Sequence, residues 1–313
     1  KKRCKYIFSH AQDSHIMNSD ESFFRTNQYN EETWAKTGST DVNLNTNSND
    51  KEGFTFLATM SYDGSVYPLI LISKGTTQIC ENHWFGPDHH INSDASKICQ
   101  EVENPYFQLG HKYGNTPKIK LNYLTDRSVK GWTNSYTWSD FLIALRYQFR
   151  PIDYNFSFYS KENRIYLISD SYGSHDCNAS DEFAHLLNID IITVPKGLTS
   201  KFQPLDLKIN GNIKSQQKSF MNCKATKEIM DFFESKEGQI DGEIPVLNNV
   251  SKPEAAKVLN IIWNHISSND VKEAFDQSIC SYFDDIYEDQ NYNEDVEFEK
   301  KLNETLRKYS YIQ

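Results

Sequence analysis

The chain has 313 residues, with 33 Lys and Arg against 43 Asp and Glu and a net charge of −10. This length allows one or two domains and a sizeable core, and an aromatic content of 13% excludes wholesale disorder, collagen-like and coiled-coil architectures. The longest apolar run, Val66 to Ile72, is far short of the roughly 20 residues a membrane helix needs, so no membrane partner is expected.

The opening Lys1-Lys2-Arg3-Cys4-Lys5 lacks the apolar stretch of a signal peptide and reads as a weak nuclear address. Residues from Tyr6 to Asp20 read as loop and then strand, with Ile16 and Met17 leading into Asp20-Glu21. The Asn/Asp/Ser/Thr-rich stretch 38–51 reads as a loop. Phe54 to Tyr62 alternates apolar and small polar residues, Asp63-Gly64 marks a turn, and Val66 to Ser73 follows, which predicts a β-hairpin. Pro68 inside the second strand predicts an edge position or a bulge. Residues 76–118 carry no periodic signal. Within them Cys80, His83, His89, His90 and Cys99 have zinc-ligand chemistry, in a spacing that matches no closed motif.

Leu121 to Thr125 reads as a strand. Trp138, Phe141, Leu142, Leu145 and Phe149 recur at three- and four-residue spacing and predict a helix over 133–149. Trp132 and Trp138 are read as core rather than as base-stacking groups. Arg164 to Asp170 is a buried strand ending in an acid, Glu182 to Leu187 a helix, and Ile189 to Val194 another buried strand. Pro204 sits where a helix can begin, with Asp206 in its first turn. Further helices are predicted at 254–266 and 269–283, followed by an acidic tail over 284–313. Strands alternating with helices around 120–230 indicate an α/β layer. Six scattered Cys without a Cys-x-x-Cys pair suit a reducing compartment.

The acidic balance is local. Residues 231–313 hold 8 basic and 18 acidic side chains, which is the whole net charge. Between 196 and 227 the sign reverses: Lys196, Lys201, Lys208, Lys214, Lys218, Lys224 and Lys227 surround a single acid, Asp206. Such a segment is either a solvated helix face or a place for phosphates. Asp20, Asp170 and Asp206 each lie at the end of an apolar segment. Acids brought together at strand ends suit hard divalent cations, and two such ions support phosphoryl transfer. Each acid alone reads equally well as a turn residue or helix cap.

Taken together, several motifs resemble the DDE-superfamily endonucleases, in particular the pogo/Tigger-like transposases related to mariner. They are Asn18-Ser19-Asp20-Glu21-Ser22, Leu167-Ile168-Ser169-Asp170 followed by Ser171 to His175, and Gln203-Pro204-Leu205-Asp206 with Lys214 beyond it. Thr33-Trp34, Lys130-Gly131-Trp132 and Trp263-Asn264 lie in the same order as in that family. The resemblance spans about 15–283. It implies an α/β RNase H-like mixed sheet with flanking helices and a helical C-terminal part. The expected organisation is a catalytic domain over 1–230, a helical extension over 231–283 and the acidic tail.

It further implies that Asp20, Asp170 and Asp206 hold two Mg²⁺ or Mn²⁺ ions for hydrolysis and strand transfer on DNA. Lys196, Lys201, Lys208, Lys214, Lys218 and His175 would contact the nucleic acid, and Glu21 is a lesser metal-ligand candidate. Members of the family usually act on DNA as dimers or higher assemblies, and a nuclear location is expected for this chain. Ser171-Tyr172 after Asp170 and Pro195-Lys196-Gly197 before the third acid depart from the family pattern. A helix-turn-helix module, carried by full-length relatives, does not precede Asp20 in this sequence. The chain therefore reads as a catalytic-domain fragment, with a domesticated, inactive DNA- or chromatin-binding derivative as the alternative.

Overall fold

The computed structural model describes residues 11–26, 52–75, 77, 97–98, 101–107, 109–170, 178–194, 197–235 and 247–278. The loop 38–51, the Cys80 to Cys99 zinc candidates (Cys80, His83, His89, His90, Cys99), His175, Lys196 and the tail 284–313 lie outside these residues.

Strands β1 (Ile16–Arg25), β2 (Gly53–Ser61) and β3 (Leu69–Lys74) form an antiparallel meander. A second group follows: β4 (Lys97–Ile98), β5 (Glu101–Glu103), β6 (Lys118–Lys120) and β7 (Tyr123–Ser128). Then come β8 (Ile165–Asp170) and β9 (Ile189–Val194), parallel to each other, with β8 laid parallel on the free edge of β1. The main sheet runs β4-β7-β3-β2-β1-β8-β9, and β5 and β6 pair separately. An antiparallel meander extended by two parallel strands on the edge of its first strand is the RNase H-like mixed sheet that the sequence motifs implied.

Helices cover both faces, as parallel strands require. On one face lie α1 (Ser135–Ala144), continued as a π turn to Phe149, and α2 (Asn178–Leu186). Trp138, Phe141, Leu142, Leu145 and Phe149, the residues of the predicted stripe, are buried there with Met17, Leu57 and Leu167. Asn134 caps α1 through a capping box with Thr137, accepting from Thr137 N at 3.1 Å while Thr137 Oγ1 accepts from Asn134 N at 2.8 Å. Asn134→Ala should lower stability by about 1 kcal/mol, read as a shifted urea midpoint with an unchanged slope.

The other face carries α3 (Thr199–Phe202), a π turn over Leu205–Ile209, α4 (Asn210–Ser235), α5 (Lys252–Asn264) and α6 (Ser268–Ser278). Ile209, Ile213, Phe220, Leu259, Trp263 and Phe275 share one core with Phe24, Phe56, Leu71 and Ile168 of the sheet. Helix α4 runs unbroken through residue 230, the boundary expected for the catalytic domain.

All nine residues of β2 are buried, because both faces of the sheet are covered. Among the hydroxyls of β2, Thr59 Oγ1 lies 2.9 Å from Ser19 Oγ on β1, and Ser61 Oγ donates to Asp63 in the turn. One sequence expectation changes here: Pro68 does not mark an edge. Strand β3 starts after it, at Leu69, and lies between β2 and β7, so the missing N–H falls outside the ladder. The hairpin turn holds as read. Gly64 adopts φ +95°, and a Cβ there would lie 1.9 Å from Ser268 Oγ at the start of α6.

Candidate metal centre

Asp20 sits in the middle of β1, not at its end, because Phe23 and Phe24 continue the strand to Arg25. Asp170 is the last residue of β8. The parallel register pairs Ile16 with Tyr166, Met17 with Leu167 and Asn18 with Ile168. The pairing ends at Asn18 and Ile168, two residues short of each acid, and the Asp170 charge still reaches Asp20. Strand alternation turns both toward the α4–α6 face, the side on which Tyr166, Ile168 and Phe24 are buried. The same alternation turns Glu21 to the opposite face, away from the other acids.

Asp206 comes from the third element. It lies in the π turn that follows Pro204, packed against β1 through buried Leu205 and Ile209. Asn210, one helical step on, closes the group. Its Nδ2 donates to Asp20 Oδ2 at 2.7 Å and to Asp206 Oδ1 at 3.0 Å. Burial drives the Asp20 carboxyl well above the ordinary carboxylate range. The negative charges of Asp206 and then Asp170 push it the same way, and the Asn210 hydrogen bond opposes them. Asp20 is 9% exposed, Asp170 partly exposed and Asp206 exposed, so the group opens to solvent on one side.

A buried Asp20 whose proton affinity is raised by the neighbouring Asp206 and Asp170 charges offers oxygen donors to a hard divalent cation, whose charge would relieve that repulsion. As placed, no three His, Cys, Asp or Glu side chains among the described residues form a closed ligand set. The Asn210 amide bridges Asp20 and Asp206. Asn210 could have been suspected from its i+4 spacing to Asp206 on a helix; nothing in the sequence singles it out from the other Asn residues.

The lysines divide. Lys208, partly exposed, pairs within the chain, 2.8 Å from Asp270 and 2.5 Å from Glu273 of α6, and these carboxylates raise its proton affinity. Its charge is thus largely spent on its own chain. Lys224 likewise pairs with Glu254 at 2.8 Å. Lys201, Lys214 and Lys218 are exposed, and the last two share one side of α4. Trp138 is core, as read. Trp132 is not: it is 47% exposed, with one face stacked on Phe23 at 5.9 Å.

A model of the DDE superfamily endonuclease family matches residues 103–275, more than half of the chain. The chain belongs to that family. The matched span contains Asp170 and Asp206, and Asp20 precedes it. No curated protein matches the chain in sequence. Among solved structures, the Mos1 mariner paired-end complex with Mn aligns over 92% of this chain and 61% of its own, at 10% identity and a TM-score of 0.42. The catalytic domain of Mos1 mariner transposase aligns over 87% and 89%, at 11% identity and a TM-score of 0.32. The chain thus spans under two thirds of the Mos1 chain in the paired-end complex.

Proposed function

We propose that this chain is the catalytic domain of a pogo/Tigger-like DNA transposase, a nuclear metal-dependent endonuclease in which Asp20, Asp170 and Asp206 hold two Mg²⁺ or Mn²⁺ ions. The observation that carries the reading is the shared Asn210 amide between Asp20 and Asp206, with the Asp170 charge acting on the same buried Asp20. Membership of the DDE endonuclease family and the Gln203-Pro204-Leu205-Asp206 motif support it. A bound ion pair supplies an activated water or 3′-hydroxyl and stabilises the leaving oxygen of a phosphodiester. The chain's own part is to orient the carboxylates and to keep Asp20 out of bulk water. Lys201, Lys214 and Lys218 offset the phosphates that the carboxylates repel.

Supercoiled plasmid incubated with the protein should be nicked with Mn²⁺ or Mg²⁺ and remain intact with EDTA. Asp170→Asn and Asp206→Asn should each lower the nicking rate by about 10³-fold or more, since the cations contribute several kcal/mol at about 1.4 kcal/mol per tenfold. Nicking that survives both changes overturns the mechanism. Salt-sensitive DNA binding with no metal-dependent nicking in the unaltered protein selects the domesticated, non-cutting derivative. The internal pairing of Lys208 favours that alternative, because it withdraws one cation from the DNA-facing set.

A further inference from the structure

Asn18 is fully buried two residues before Asp20 on β1. Its Nδ2 donates to the carbonyl of Ile168 at 2.9 Å, two residues before Asp170 on β8. Its Oδ1 accepts from the backbone N–H of Leu205 at 2.9 Å, one residue before Asp206. A single amide therefore ties the three backbones that carry the three acids, each within two residues of its acid. The polarity is fixed at both ends. A carboxylate at 18 has no donor for Ile168, a lysine has no acceptor for Leu205, and an apolar side chain leaves both without this partner.

Asn210 repeats the device one layer out. Its buried Nδ2 binds the Asp20 and Asp206 carboxylates themselves, while its Oδ1 has no hydrogen-bond partner among the described residues. A neutral amide suits this place: a Lys or Arg here would cancel the charge that a cation needs.

We propose that Asn18 and Asn210 are positioning residues that pre-assemble the carboxylate cluster, Asn18 by fixing the three backbones and Asn210 by fixing the carboxylates. The inference rests on the metal-centre reading above. It adds that the site is built by uncharged residues before any cation arrives, so that the acids converge without neutralising partners. Groups that hold metal ligands in place tune metal affinity even though they never touch the ion.

Mn²⁺ binding to the full chain, followed by electron paramagnetic resonance of the free ion, separates this role from simple stability. Asn260 provides the matched control. It is equally buried, accepts from Asn122 N at 3.0 Å and donates to the Lys120 carbonyl at 3.3 Å, joining two elements at a site distinct from the acids. Asn18→Ala and Asn210→Ala should each weaken Mn²⁺ binding by about 10- to 100-fold, while Asn260→Ala stays within about twofold of the unaltered protein.

Equal Mn²⁺ affinity in the Asn18 and Asn210 variants overturns the inference and leaves the metal-centre reading standing. So does an equal loss in Asn260→Ala, which would assign the effect to general destabilisation. Failure of the unaltered chain to bind Mn²⁺ overturns the metal-centre reading itself. Should Asn18→Ala not fold by circular dichroism, Asn210→Ala decides between the first two outcomes, because its amide bonds to carboxylates rather than to backbone.

Discussion

Asp20→Asn should make the metal-free protein more stable at neutral pH and, in the same molecule, remove most of its response to divalent cations. Asp20 is buried against two further acids, and burial and like charge both favour its protonated form in the folded state. For an acid raised in this way, the native state binds more protons than the unfolded chain. The contribution to stability is therefore greatest below the unfolded carboxylate value near 4 and is lost as pH rises toward the raised native value. An amide removes that slope while keeping the shape. Its oxygen can still accept from Asn210 Nδ2, as Asp20 Oδ2 does at 2.7 Å.

The expected gain without metal is about 0.5–2 kcal/mol at pH 7.5, the usual range when a functional site's tension is released, and it should shrink toward pH 4–5. Cations then invert the order. The unaltered protein gains about 2.7 kcal/mol with Mg²⁺ at a hundredfold excess over its dissociation constant, and the variant gains little. Urea titrations at two pH values, with EDTA or Mg²⁺, give all four corners. A variant less stable than the parent at pH 7.5 in EDTA would remove the claim that the three acids repel one another across this site.

What can be drawn from sequence depends on which signals are local. Strands at Ile165–Asp170 and Ile189–Val194 and the helix from Ser135 are written in runs and periods of a few residues, and each was legible. The acids stand out in sequence because each follows apolar residues that must be buried, although Asp20 lies within its strand rather than at the end. What could not be read is what holds them together. Asn18 and Asn210 look like any polar residue beside a strand or at a helix start. Their partners lie 150 to 190 positions away, at Ile168, Leu205 and Asp20. The fate of Lys208 was hidden for the same reason: a basic run suggests phosphates until α6 brings Asp270 and Glu273 against it. The full burial of β2 likewise required knowing that helices cover both faces, which no single strand records.

Trp263→Ala should cost about 3–5 kcal/mol, the cost of emptying a fully buried aromatic site, and should weaken Mn²⁺ binding through that loss. Trp263 is 1% exposed on α5, within the core shared by the sheet and α4, and its Nε1 donates to the Tyr67 carbonyl at 2.7 Å, just before β3. That bond joins a helix from the expected C-terminal extension to the centre of the sheet. Helix α6 completes the attachment, because Asp270 and Glu273 hold Lys208 two residues from Asp206. Helices α5 and α6 thus buttress the element that carries the third acid.

The separable alternative makes a different forecast. If those helices were an independent extension, Trp263→Ala would split thermal unfolding into two transitions, and Mn²⁺ binding would survive the first. A single cooperative core requires one transition at lower temperature, with metal binding and structure lost together. Trp263→Phe sharpens the comparison, since it keeps most of the apolar volume and removes only the hydrogen bond. It should lower stability by about 1–3 kcal/mol and leave Mn²⁺ affinity in the folded protein close to that of the parent. Two transitions in calorimetry of the alanine variant would move the domain boundary back to residue 230 and leave the sheet to position Asp206 without α5 and α6.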